Sequence, residues 1–575
     1  VILRRATPGL AAAVALLLAT GPAWGQGADQ DSVPPPPTAP VLPIPPLEVH
    51  PGPLSPGSRL VFTRDSIVWL DGYTLADLLM EVPGTYAART GFAGQPTPVY
   101  YAGRGAAGIE IFYDGQPITP LGADSVGVDP GRISLIGLRR VEVERHPGFL
   151  RVYLVSERHE LPGARTLLRI VNGDFRTAGY AGLFQYRWTN GIGVDLSADY
   201  FNSKGGQGET RNATWFDLRA AADWTPSPLV SAAFQLRSLT FDRAATAGPA
   251  GLDIPLRDDT RRETLFRLVA STRPHRQGLS FEAGLQSTVW RADSATADTV
   301  LGERSASAGF VGLRVSGTHA TADLQARVSD YHTTAETRLG AGWMPLGWLT
   351  VSGGARWAAH RGGRTSRGAD ASLALHGGPF SLVGDVRWSD AVASPVLADD
   401  TAQTALDLGA RAGFASRRVT LHAGVEQRDA FQAPPLAEIR GWPLFPPAPE
   451  ATFFVGDATL NLGSLALSGW YADPVSGEAS AFDPPSHSRA ALTFRSTFLR
   501  TFRSGAFDLK VQIAVEAWGA GSAGLDASGA PLLLPGTSVA EAFLQVELVS
   551  FHAFYSLRNA LRSREGYVPG FEYPR

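Results

Sequence analysis

Ile192-Gly193-Val194-Asp195-Leu196-Ser197-Ala198-Asp199-Tyr200 is the stretch that decides the fold. Ile192, Val194, Leu196, Ala198 and Tyr200 alternate with Gly193, Asp195, Ser197 and Asp199. The pattern returns far downstream, where Phe507, Leu509, Val511, Ile513, Val515 and Ala517 alternate with Asp508, Lys510, Gln512, Ala514 and Glu516. A period of two belongs to strands whose two faces differ chemically. From Arg165 onward such segments follow one another, separated by turns rich in Gly, Asp, Ser or Pro. A polar, charged face that recurs in segment after segment needs a wet interior, and an apolar opposite face needs an outside made of hydrocarbon. A closed antiparallel barrel in a membrane supplies both.

Twenty-one strand candidates fall between residues 165 and 549. Trp188, Trp224, Trp290, Trp343, Trp348, Trp388, Trp470 and Trp518 sit near segment ends, as aromatic girdles do. Long polar connections near 203–214, 242–262, 291–304, 431–450, 472–487 and 520–537 suit the extracellular side, and short ones such as Gly378-Pro379 the periplasmic side. An antiparallel barrel favours an even strand number. One further strand is therefore expected after Tyr573-Pro574-Arg575, giving twenty-two.

Composition agrees with a barrel. The chain has 575 residues, 44% of them apolar, and a near-neutral formal charge of -3, which speaks against a nucleic-acid partner. It contains no Cys, so disulfides, thiolate catalysis and zinc–thiolate sites are excluded. Arg4 and Arg5, the apolar run Leu10–Thr20 and Ala23-Trp24-Gly25 read as a signal peptide over 1–25, with Gln26 the first mature residue. Residues 26–57, with Pro34–Pro37 and seven further prolines, form an extended periplasmic linker.

Residues 58–163 read as a small α+β unit. Thr74 caps a helix over Leu75–Val82 that Pro83-Gly84 ends. Ile109–Tyr113 is a strand entering a tight Asp114-Gly115 turn, and Leu138–Glu144 is a second strand. Leu75–Leu79 with Val82-Pro83-Gly84, Arg104-Gly105, Ile111–Pro117 around Asp114-Gly115, and Leu138–Arg145 with Pro147-Gly148 resemble, in order and spacing, the plug domain of TonB-dependent outer-membrane receptors. Asn559, Tyr567, Pro569-Gly570-Phe571 and Pro574-Arg575 are similar to the last extracellular loop of that family. Residues 149–158 depart from the family pattern, which closes the plug with a Gly-rich stretch.

The resemblance implies a 22-stranded transmembrane β-barrel over 164–575 with the plug, 58–163, in its lumen. It implies a monomer in the outer membrane of a Gram-negative-type bacterium. Such a receptor imports a scarce, bulky ligand (siderophore, cobalamin or glycan) with energy from TonB, and the alternative is a barrel uncoupled from TonB that serves as a channel or surface binding protein. Asp31–Val33 and Leu47-Glu48-Val49 are the candidates for the TonB-box. Pro83, Gly84, Arg104, Gly105, Asp114, Gly115, Arg140, Glu142 and Arg145 carry the plug motif. Arg104, Arg132, Arg139, Arg140, Glu142, Glu144 and Arg145 are expected to face lumen-side charges such as Asp195, Asp199, Arg237, Asp385, Asp407, Arg411 and Glu516. Ligand contacts are sought at Phe92, Gln95, Tyr100 and Tyr101 on the plug and at Trp442, with Phe431, in the loop 431–450. No HExxH, paired metal-ligand His or acidic calcium loop is found, and neither a cofactor, a metal nor enzymatic activity is expected.

Overall fold

A computed structural model of the chain describes residues 59–91, 93–102, 104, 108–121, 128–205, 212–247, 253–274, 278–292, 305–396, 402–432, 446–481, 483–498, 501, 506–525, 529–549 and 551–563. The expected signal peptide, the linker with both TonB-box candidates, and Phe92, Gly105 and Trp442 lie outside them.

The N-terminal unit runs β1 (Arg59–Thr63), α1 (Arg64–Val68), α2 (Leu75–Leu79), β2 (Thr85–Ala87), β3 (Val99–Tyr101), β4 (Ile109–Tyr113), β5 (Gln116–Pro117), β6 (Leu138–His146) and β7 (Phe149–Ser156). Five of these strands make one sheet in the order β1-β6-β7-β4-β5, with β4 parallel to β7 and the other neighbours antiparallel. Val141, Val143, Val152 and Leu154 point from the sheet into one core with Leu75, Leu78 and Leu79 of α2. The helix is shorter than its sequence pattern. Pro83 disfavours helical backbone at Val82, and the N–H groups of Glu81 and Val82 close instead on Leu78 and Leu79 carbonyls in a tightened final turn. Asp114 (φ 47°) and Gly115 (φ 87°) both take left-handed backbone, which is what a two-residue turn from β4 to β5 demands.

Sequence reading missed β1, α1 and β7. The prolines up to Pro56 mask Arg59–Thr63, and Phe149–Ser156, a largely apolar run, is a strand that pairs on both edges, to β6 and β4.

Twenty-one strands, from Gly163–Gly173 to Phe551–Leu557, form a closed barrel, and every consecutive pair is antiparallel. Because the number is odd, the first and last strands run in the same direction where they meet. A twenty-second strand is not among the described residues. The wall is inverted relative to a soluble protein. In the strand Ile192–Ser203, Ile192, Leu196 and Tyr200 are 37–38% exposed on the outside while Asp195 is 5% and Ser197 8% exposed. Leu285, Val328, Leu382, Ile513 and Tyr555 continue the apolar exterior, and no helix among the described residues is long and apolar enough to cross a membrane. Backbone pairing around the whole ring leaves no edge for hydrocarbon to meet, so this is a transmembrane barrel.

The long connections 204–212, 244–256, 293–304, 393–401, 429–450, 477–486 and 519–536 all fall at one end, since an even number of strands separates each from the next. Turns such as 228–229, 347–348, 378–379 and 463–464 close the other end. Trp188, Trp224, Trp343 and Trp348 are exposed near that short-turn end, as a girdle requires. Trp290, Trp470 and Trp518 are not girdle residues. They are 4–8% exposed and face the lumen, where Trp470 donates its indole N–H to the Met80 carbonyl and Trp518 packs edge-on to Tyr86.

Candidate functional site: the plug–wall contact and the cavity above it

The small N-terminal unit occupies the lumen, held by polar contacts with the wall. Arg104 pairs with Asp407, a carboxylate that Arg387 also reaches at 3.0 Å. Arg132 pairs with Asp259 (3.2 Å), Arg145 with Asp457 (3.6 Å), Arg151 with Asp370 (2.7 Å) and Glu81 with Arg489 (3.0 Å). The Ser134 hydroxyl donates to Asp199 (2.6 Å). Arg145 and Arg151 reach the wall from β6 and β7, whereas Glu81, Arg104, Arg132 and Ser134 reach it from the connections between plug elements, and inward positions of the wall strands carry the opposing charge.

Not every predicted charge crosses the gap. Glu142 is enclosed within the plug by Arg59 and Arg140, Glu144 takes the Tyr153 hydroxyl (3.2 Å), and Arg139 pairs with Glu160. The sheet explains this: β1 and β7 flank β6, so residues on β6 meet neighbouring strands before they meet the wall. On the wall, Arg237 pairs with Asp217, Arg411 with Asp385, Glu516 with His487, and Asp195 accepts from Gln185.

Pro83 and Gly84 close the α2 turn, with Gly84 at φ 84° beside the Tyr101 ring. Asp114 is fully buried: its carboxylate accepts from Ser156 N–H (2.8 Å) and from Gln235 of the wall (2.7 Å), and its carbonyl accepts from Arg267. Burial favours its neutral form, but Arg219, Arg158 and Arg267 more than offset this and hold the carboxyl below the usual range. The motif's chemistry is thus anchorage of a turn to two surfaces.

The ligand positions need correcting. Tyr100 is 3% and Tyr101 0% exposed within the plug core, and Gln95 is 5% exposed. The Tyr101 hydroxyl donates to Glu426 of the wall at 3.4 Å, and burial holds its proton on well beyond neutral pH. Two adjacent tyrosines suggested a binding surface. In β3 one ring serves the hairpin and the other the wall.

The open space lies elsewhere. At the long-connection end a cavity of about 310 Å³ is bounded below by Ile109–Ile111, Pro117–Pro120 and Phe149 of the plug, and around by Tyr331–Thr333, Ala391–Ala393 and Phe431. Among the described residues, Arg104, Arg327, Arg338, Arg356 and Arg387 line it against Glu110 and Glu336, with His332 and His360 beside them. Arg104 and Arg428 each stand 5.1 Å from the Phe431 ring centroid, so this aromatic of the loop is fixed between cations rather than free. Below lies a smaller cavity of about 100 Å³ between plug and wall, lined by His146, Arg151, Asp323, Gly340, Ser352 and Asp370 among others. Burial first, then the neighbouring Arg151, lower His146 to about 4, so its 3.6 Å contact with Glu144 is not an ion pair at neutral pH.

No protein-family model matches the chain, and no curated protein does. Solved structures do match. The siderophore receptor PirA from Acinetobacter baumannii superposes with a TM-score of 0.66 at 10% identity, covering 90% of this chain and 96% of that one. The copper transporter OprC gives 0.67 at 12% identity, covering 89% and 95%. The FrpB iron transporter from Neisseria meningitidis gives 0.65 at 10% identity, covering 90% and 98%. The chain has the plug-in-barrel fold of the TonB-dependent receptors. In this plug-in-barrel fold the arginine-rich cavity sits directly above the plug. Glu110, Glu336, Arg338, Arg356 and Arg151 were not singled out from the sequence. Their one signal is phase: Glu336 and Arg338 share a face of one strand by local alternation, and only strand pairing sets Arg356 opposite Arg338.

Proposed function

We propose that this protein is an outer-membrane receptor and transporter that takes an exogenous ligand into the arginine-rich cavity and passes it inward when the plug rearranges. Among the described residues, five arginines line the cavity against Glu110 and Glu336, and even with Asp407 behind Arg104 and Arg387 the cluster keeps an excess of positive charge, which carries the reading. A low-dielectric cleft of one sign concentrates ligands of the other, so the ligand is an anion, or a complex that presents anionic groups. The structural neighbours' names, a siderophore receptor, a copper transporter and an iron transporter, point to a metal-bearing cargo. Energy from a TonB-type partner, applied through the linker 26–57, would reach the plug at β1. Polar plug–wall contacts suit such a step, because water can replace each contact as it breaks.

The test is ligand accumulation in cells with and without the TonB partner, and with residues 27–57 deleted. Dependence on both supports energised import. Accumulation unaffected by either overturns it and leaves the uncoupled channel or surface binding protein, a reading favoured by the departure of Phe149–Ser156 from the family's plug ending.

A further inference from the structure

The two cavities lie one above the other along the same wall strands and share three lining residues: Glu110, Arg338 and Arg356. Glu110 projects from β4 and pairs with Arg338 and, at 3.4 Å, with Arg356. Glu336 binds the same two arginines from the wall, at 2.7 and 2.6 Å. The Arg338 guanidinium also lies 4.4 Å from the Phe112 ring centroid. Four charged side chains thus form a crossbar between plug and wall, a few residues in from the long-connection end of the strands Thr333–Leu346 and Leu349–His360.

Below the crossbar the wall recedes. Gly340, Ser352 and Gly354, with Ser372 on the next strand, hold the lining positions beneath Arg338 and Arg356, and Gly340 pairs with Gly354 across the two strands. Small residues on adjacent strands leave a gap between plug and wall, whereas the long side chains of Arg338 and Arg356 fill it one step higher. The residues that line both cavities are Glu110, Arg338 and Arg356, so the two spaces meet at long side chains whose polar contacts water can replace, with the Phe112 ring packed against Arg338.

We propose that Glu110, Glu336, Arg338 and Arg356 are a side-chain gate on a passage between plug and wall, through which small hydrated ions and polar solutes cross without displacement of the plug. Glu110 is the bolt, because it is the one member contributed by the plug. Burial disfavours its charge, but Arg338 and Arg356 outweigh burial and keep it ionised, so the gate is closed at neutral pH. The inference requires the lumen to be a solute path, yet its test uses neither ligand nor energising partner and so fails or succeeds apart from the receptor reading.

The full-length protein is placed in planar bilayers with KCl as the probe. Glu110→Ala and the double variant Arg338→Ala/Arg356→Ala are expected to raise mean conductance roughly tenfold or more over the parent. Arg132→Gln, which breaks a plug–wall ion pair away from the crossbar, is expected to leave it at the parent level. A second readout uses the absence of native cysteine. Ser352→Cys, below the crossbar, is expected to resist a charged thiol reagent added from the long-connection side and to react in the Glu110→Ala background. Heat-modifiable mobility of the barrel on gels shows that each variant is folded. Equal conductance in folded gate variants and parent overturns the proposal. So does equal opening by Arg132→Gln, which would mean a plug loosened as a whole, and so does labelling of Ser352→Cys that ignores Glu110.

Discussion

Asp77 offers a test of how the plug is locked. Its carboxylate accepts from the backbone N–H of Tyr73 (2.9 Å) and Thr74 (3.0 Å) at the start of α2, pairs with Arg89 at 2.9 Å, and faces Arg558, just past the last barrel strand, at 3.5 Å. Burial raises its pKa, but Arg558, Arg89 and the two N–H groups prevail and lower it from 3.8 to about 2. That drop corresponds to about 2.5 kcal/mol of stabilisation at neutral pH. The sign follows from linkage: the unfolded segment takes up its proton at higher pH than the native one. The contribution is therefore complete above about pH 4 and is lost as pH falls from there through about 2. Asp77→Asn keeps the acceptor oxygen and removes the charge, so local opening of α2 is expected to become about 2.5 kcal/mol easier at neutral pH, a roughly 60-fold acceleration of amide exchange at Leu78 and Met80. Asp77→Ala also removes the acceptor for two helix-start N–H groups and adds about 1 kcal/mol. The assay is hydrogen exchange of the detergent-solubilised protein, read over the α2 peptides from neutral pH downward. Acceleration below about threefold in Asp77→Asn at neutral pH would refute the assigned balance of charge and burial, as would exchange protection in the parent that does not weaken on acidification through pH 4 to 2 beyond the intrinsic rate.

Arg104→Ala leaves Asp407, fully buried, with Arg387 as its remaining ion-pair partner among the described residues, and is expected to weaken plug attachment by about 3 kcal/mol, seen as release of the plug at lower urea while the barrel stays folded. Leu285→Arg places a charge on an outward position that is 64% exposed to lipid and is expected to cost about 2–4 kcal/mol if that position lies near the bilayer midplane, read as a lowered folded fraction in vesicles. Gly115→Val forces a β-branched residue to φ 87° and is expected to destabilise the β4–β5 turn by about 1–2 kcal/mol, with exchange rising locally at Ser156. Arg327→Ala and Arg387→Ala, both in the upper cavity, are expected to weaken binding of an anionic ligand and flatten its dependence on ionic strength; an anionic ligand bound equally well, with the same salt dependence, by parent and variants would refute the charge argument.

The barrel was legible because its signal is local and repeated. Ile192–Tyr200 shows which side chains share a face whatever the partner strand is, and twenty-one such segments fix class and approximate strand positions. The plug was legible where backbone chemistry is restrictive: Asp114-Gly115 demands its turn, and Pro83 ends α2. What failed were inferences from residue type to partner. Tyr100 and Tyr101 looked like a binding surface and are core; Trp470 and Trp518 looked like a girdle and face inward; Arg140 and Glu142 looked like wall contacts and pair with each other.

Sequence by itself determined that this chain folds into two-faced strands around a polar lumen, because alternation is a property of neighbours one and two residues apart. Only the tertiary structure decided which charges meet. Glu110 and Arg338 are far apart along the chain, and whether they touch depends on the register of every strand from the first to the tenth and on where the plug sits among them. A one-residue slip in any of those pairings would turn Arg338 to the lipid and leave Glu110 buried without its cation.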